Sequence, residues 1–127
     1  MQEEAKLFKA LSDSTRLRLT VLLSIRGETC VCDLARALGE PDYKISRHLG
    51  ILRSSGVVDA RRDGAWIYYQ LAQARSDLER CLQECFRDCL NGHPTVREDL
   101  KRLKTSECED SENMSQAKDS VRKASKR

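Results

Sequence analysis

The apolar positions of this chain fall into short helical stripes, broken once by a pair of strand-like runs. Residues 3–11 set Leu7, Phe8 and Leu11 on one side, the spacing of an amphipathic helix. Residues 12–15 are polar and offer side-chain oxygens to cap a second helix. That helix, residues 16–24, places Leu17, Val21 and Leu22 at core spacing, with Leu19 and Leu23 widening the stripe. Arg26-Gly27-Glu28 reads as a turn. Two more helical patterns follow: Leu34, Ala35 and Leu38, then Ile45, Leu49 and Leu52. Between them, Gly39 suits the left-handed residue that ends a helix, and Pro41 suits the start of the next. Two helices joined by a tight turn predict a helix-turn-helix, whose second helix can enter a DNA major groove.

Residues 57–62 and 65–71 are strand-like and flank Asp63-Gly64, a strong short-range signal for a hairpin. The second run, AWIYYQL, is aromatic and β-branched, as strands prefer. A hairpin directly after a helix-turn-helix is the wing of a winged helix. Residues 73–91 form a long amphipathic pattern. Leu78, Leu82, Phe86 and Leu90 make one ladder and Cys81, Cys85 and Cys89 an adjoining one, with Gly92 ending the helix. So wide an apolar face after a complete wing predicts a partner surface, most simply a second copy of the chain. Residues 94–103 are compatible with one more short helix. From Thr105 onward the chain is Ser-, Lys- and Glu-rich, a composition expected to stay disordered. The expected architecture is mainly α with a small β-hairpin: a winged helix-turn-helix, dimeric through its N-terminal and C-terminal helices. Residues 1–92 are the expected DNA-binding and dimerisation domain, and 93–127 a short helix with a polar tail.

Composition changes this picture little. The chain has 127 residues, 34% of them charged, with a net charge of +3. The basic excess lies on the helix-turn-helix and the hairpin. Residues 41–70 hold Lys44, Arg47, Arg53, Arg61 and Arg62 against Asp42, Asp59 and Asp63, which suits phosphate contact. No apolar run approaches the roughly 18 residues that span a bilayer. No signal peptide is visible, and a cytoplasmic location without membrane association is the default expectation.

Six cysteines in a chain of this kind point to metal or redox chemistry rather than disulfides. Cys30 and Cys32 stand at the entrance of the first helix of the helix-turn-helix. At a spacing of two, side chains point the same way on an extended segment but diverge by about 200° within a helix. Two sulfurs therefore chelate one soft ion only where the segment is non-helical or bends on binding. A helix N-terminus is also expected to favour the thiolate. The plain alternative is a pair of buried small hydrophobes. Cys81, Cys85 and Cys89 could supply further ligands or simply pack an interface, and Cys108 lies in the tail. Tyr43, Lys44, Ser46 and Arg47 occupy the half of the second helix that meets base edges, with His48 beside them as a phosphate contact. Arg61, Arg62 and Gly64 form the wing tip. No thioredoxin-like βαβ pattern or general-base constellation accompanies the thiols, which argues against an enzyme.

Four stretches together resemble the ArsR family of bacterial metal-responsive repressors: LFKALSDSTRLRLTVLL, ETCVCDLARALG, ISRHLGILRSSGVV and RRDGAWIYYQL. The resemblance covers roughly residues 3–90. It implies a homodimeric winged-helix protein that binds double-stranded operator DNA and is released by an inducer. Cys30 and Cys32 resemble the trivalent-arsenic site of the arsenic-responsive branch, so arsenite is the implied inducer and no permanent cofactor is expected. That branch often has a third cysteine three residues after the second; here the position is Ala35. Cadmium, antimony or oxidation of the thiols is the alternative signal.

Overall fold

The computed structural model describes residues 1–105, so the tail and Cys108 lie outside the described residues. Helix α1 (Gln2–Leu11) buries Leu7, Ala10 and Leu11, with Glu3 and Glu4 in its first turn and Lys9 in its last, as the helix dipole favours. Helix α2 (Ser14–Arg26) begins two residues earlier than the apolar stripe suggests. Asp13 is its N-cap, accepting the Arg16 N–H at 3.1 Å. Gly27 ends it at φ 87° and leads into strand β1 (Thr29–Cys30).

Helix α3 (Val31–Leu38) follows β1 without a break and stops at Gly39, which takes the left-handed conformation at φ 68°. Helix α4 (Asp42–Ser54) starts from Pro41, whose carbonyl accepts the N–H groups of Lys44 and Ile45. Leu19 and Leu22 of α2, Leu34 of α3, and Ile45, Leu49 and Leu52 of α4 are fully buried and form the centre of the core. The helix-turn-helix is thus held against α2 by side chains at the spacing that the sequence displays.

Strands β2 (Val58–Asp63) and β3 (Trp66–Leu71) form the expected wing, with two differences. The loop is Gly64-Ala65 rather than Asp63-Gly64, because Asp63 pairs with Trp66 while Gly64 takes the positive φ of 64°. The sheet also has a third strand. β1 pairs antiparallel with β3, Thr29 opposite Tyr69 and Cys30 opposite Tyr68, giving the order β1-β3-β2.

Helix α5 (Asp77–Cys89) is shorter than the sequence pattern, because Ser76 caps it by accepting the Glu79 N–H. Its leucine ladder is partly covered by the chain itself. Phe86 is buried, and Leu78, Leu82 and Leu90 pack against the chain's own core beside α2. Helix α6 (Pro94–Thr105) lies against α3, with Val96, Asp99 and Leu103 buried. None of the helices among the described residues is long and apolar enough to cross a membrane.

Candidate thiol centre and nucleic-acid interface

Cys30 is the last residue of β1 and the N-cap of α3, in an extended conformation at φ −79° and ψ 157°. Cys32 lies in the first turn of α3. The backbone changes from strand to helix between them, so the divergence expected of a continuous helix never arises. Their Sγ atoms lie 3.0 Å apart. That is wider than the roughly 2.05 Å of a disulfide bond, so the two sulfurs touch without being bonded to each other. The pair is already gathered, and the helix need not unwind to bring it together.

A carboxylate joins them. One oxygen of Asp33 and the two sulfurs all lie within 4.8 Å of one another, a three-donor cluster among the described residues. Cys30 is only 4% exposed, whereas Cys32 and Asp33 are half-buried. Burial first, and then the charge of Asp33, pushes the Cys30 thiol up to about 12. The expectation that the helix N-terminus would favour its thiolate is therefore overturned: removing the sulfur from water next to a carboxylate outweighs the helix dipole. An ion binding here must displace the Cys30 proton.

Cys81, Cys85 and Cys89 are exposed on α5 and are not part of this three-donor cluster. The Cys85 thiol is pushed up by its hydrogen bond with Cys89 and by that neighbour's charge.

On α4, Tyr43, Ser46 and Arg47 face outward on the side opposite the buried Ile45, Leu49 and Leu52. Tyr43 is 72% exposed. Lys44 pairs with Glu40 at 3.1 Å. His48 turns toward α2, 3.9 Å from Asp13 and 3.4 Å from Arg16. On the wing, Arg62 and Gly64 are exposed. Arg61 is also exposed, but its guanidinium donates to both oxygens of Glu28 at 2.9 and 2.8 Å and lies over the Tyr68 ring. Glu28 immediately precedes β1, so this contact ties the outer wing strand to the segment that carries Cys30.

The far end of α3 is held by α6. Arg102 donates to the Ala37 carbonyl at 2.6 Å, and Arg18 and Arg102 both reach the buried Asp99. Neither Asp33 nor this network appears in the sequence reading. Asp33 carries a signal there, an acid directly after the second cysteine. Asp99 looks like any acid on a polar helix face.

The pattern of the bacterial regulatory proteins of the arsR family matches residues 13–60. The arsenical resistance operon repressor of Escherichia coli K12 is 52% identical over 67 residues, 53% of this chain and 57% of that protein. A cadmium resistance transcriptional regulatory protein CadC homolog of Staphylococcus aureus is 43% identical over 67 residues, 53% of this chain and 55% of that protein. The chain thus spans little more than half the length of these curated relatives. Among solved structures, the homodimeric winged helix-turn-helix DNA-binding domain of a possible ArsR-family transcriptional regulator from Mycobacterium bovis superposes with a TM-score of 0.58. It is 33% identical, with 73% of this chain and 86% of that one covered. With the same wing, the same helix-turn-helix and a matched family pattern running from the α2 cap into β2, this chain belongs to the ArsR family of bacterial regulatory proteins.

Proposed function

We propose that the protein is a homodimeric transcriptional repressor that binds double-stranded operator DNA and leaves it when arsenite is held by the thiolates of Cys30 and Cys32. The observation that carries this reading is the 3.0 Å separation of the two sulfurs. Two bonds of roughly 2.3 Å to one atom at a near-right angle would end on sulfurs about 3.3 Å apart. A small trivalent ion with a pyramidal bond arrangement therefore needs little rearrangement. The similarity to an arsenical resistance operon repressor points the same way.

In this reading Tyr43, Ser46 and Arg47 meet base edges, Lys44 serves a phosphate, His48 braces the reading helix against the start of α2, and Arg62 with Gly64 carries the wing along the backbone. Arg61 holds the wing to Glu28. The inducer pins the end of β1 to the first turn of α3. Since β1 is paired to β3 and α3 is packed on α4, one ion biases the wing and the reading helix together. Dimerisation runs through α1, where Phe8 is 49% exposed, and the outer face of α5.

The test is a DNA-binding titration with and without arsenite, on wild type, Cys30→Ser and Cys32→Ser. Both variants should bind operator and fail to leave it. If arsenite weakens DNA binding by some factor, DNA must weaken arsenite binding by the same factor. A double Cys30→Ser/Cys32→Ser protein that still dissociates normally moves the sensor to Cys81, Cys85 and Cys89. A second reading, cadmium as inducer, is favoured by the cadmium resistance relative.

A further inference from the structure

We infer that Arg102 is a positioning residue for DNA reading: reaching over from α6, it closes the C-terminal end of α3 and so fixes the angle at which the helix-turn-helix presents α4. The inference rests on α4 being the reading helix, as proposed above.

The last carbonyls of a helix have no partner within the helix itself. At the end of α3 the turn supplies two donors, the Gly39 N–H to the Arg36 carbonyl and the Glu40 N–H to that of Ala35. Ala37 is fully buried, and its carbonyl is served from elsewhere. Nε of Arg102, 65 positions further along the chain, donates to it at 2.6 Å. A cationic donor suits this end of α3, where the helix dipole has its negative pole, and charge-assisted bonds are the short and strong ones.

The guanidinium is itself held in place. Its Nη2 donates to Oδ1 of Asp99 at 2.7 Å, and Asp99 is wholly buried. Arg18 of α2 donates to both oxygens of the same carboxylate. Helix α6 is thus pinned to α2 through Asp99 and to α3 through Arg102. A paired buried network specifies one arrangement, where apolar contact tolerates several.

Only residues 39–41 separate α3 from α4. Tyr43, Ser46 and Arg47 follow on the outward face of the first turns of α4. A link this short passes any tilt at the end of α3 on to those side chains. Base contacts are directional, whereas attraction to phosphate is not. Loosening Arg102 should therefore harm discrimination between sequences before it harms DNA affinity as such. Arg102 is 45% exposed, so direct contact with phosphate is the competing account.

The experiment uses the full-length chain, a duplex that wild type selects from a random-sequence pool, and a scrambled duplex of the same composition. Fluorescence anisotropy over a salt series gives the affinity for each. Wild type is compared with Arg102→Ala and with Lys101→Ala, which removes an exposed neighbouring cation instead. Circular dichroism first establishes that each variant is folded. Arg102→Ala should lose about tenfold in preference for the selected duplex, the size of one good base contact. Its affinity for the scrambled duplex and its salt slopes should stay as in wild type, and Lys101→Ala should keep the full preference. A folded Arg102→Ala protein with wild-type preference overturns the inference. A loss shared equally by both duplexes, with a salt slope reduced by about one, marks a phosphate contact and overturns it too. An equal loss of preference in Lys101→Ala does the same. Where Arg102→Ala does not fold, Arg102→Lys keeps the charge without the planar two-pronged grip and is held to the same outcomes. A wild type that selects no sequence from the pool would instead remove the DNA-reading role of α4, and this inference with it.

Discussion

The carboxylate of Asp99 accepts hydrogen bonds from Nε and Nη2 of Arg18, at 2.9 and 2.7 Å, across 81 positions of sequence. Asp99 is wholly buried while Arg18 is 25% exposed. The guanidinium is correspondingly held above its ordinary range by its hydrogen bonds to Asp99. Breaking a buried pair by removing one partner costs about 3–5 kcal/mol, because the other charge is stranded. Arg18→Ala should fall at the low end, since Arg102 still serves one oxygen of Asp99 at 2.7 Å. Urea unfolding of wild type and variant measures it, and a change below 1 kcal/mol, about one ordinary hydrogen bond, would refute it.

Asp13 should make the stability of α2 depend on acid. Its carboxyl is held below the ordinary 3.8, chiefly by the N–H of Arg16. A lowered carboxyl contributes stability that is present above its unfolded value and is lost as pH falls through the folded one. Asp13→Ala should cost about 0.5–2 kcal/mol at neutral pH. The difference in melting temperature between wild type and variant should shrink as the pH drops below 3.8. A constant difference across that range would exclude Asp13 as the cause.

Gly56→Ala should be destabilising chiefly through the backbone, with a smaller cost for moving one exposed side chain. Gly56 holds φ 80°, and a β-carbon there would strike the guanidinium of Arg75, itself paired with Glu79 of α5. The left-handed conformation alone costs about 1–2 kcal/mol. Adding Arg75→Ala relieves the collision but not the backbone. The double variant should therefore retain roughly that residual cost, as read by thermal unfolding.

Phe86 and Phe8 should separate folding from association. Phe86 is 8% exposed and sits in the core, so Phe86→Asp should unfold the protein rather than merely split a dimer. Phe8→Asp on the outer side of α1 should leave circular dichroism unchanged and shift sedimentation toward the monomer. A Phe8→Asp protein that sediments like wild type would move the dimer face away from α1.

Arg47 and Arg62 should fail in different ways. Loss of a bidentate base contact by Arg47→Ala would cost about 1–3 kcal/mol and relax sequence preference. Arg62→Ala on the wing should weaken all sequences alike and reduce the salt slope by about one. Fluorescence anisotropy against operator and scrambled duplexes, over a salt series, tells them apart.

The reading helix and its partner were legible because Leu34, Leu38, Ile45, Leu49 and Leu52 repeat at helical spacing and all face the core. The hairpin was legible through Gly64, although its loop shifted by one because a left-handed glycine can open such a loop as well as close it. Strand β1 was not, since two residues are too few to display any alternation. The pairing of Glu28 with Arg61 spans 33 positions, beyond any local pattern. At the thiols, spacing singled out the two cysteines that the fold brings together, but the acid strength of Cys30 was misjudged. Burial and the nearness of Asp33 are tertiary facts.

Because the backbone changes from strand to helix between Cys30 and Cys32, the thiol centre keeps count of residues. One residue inserted after Val31 would carry the second sulfur about 100° around the axis of α3, and the chelate would vanish with every cysteine still present. Chemical identity at these two positions is therefore only half of the specification. The other half is an integer, the number of peptide units between the end of a sheet and the first turn of a helix, and it admits no gradual adjustment.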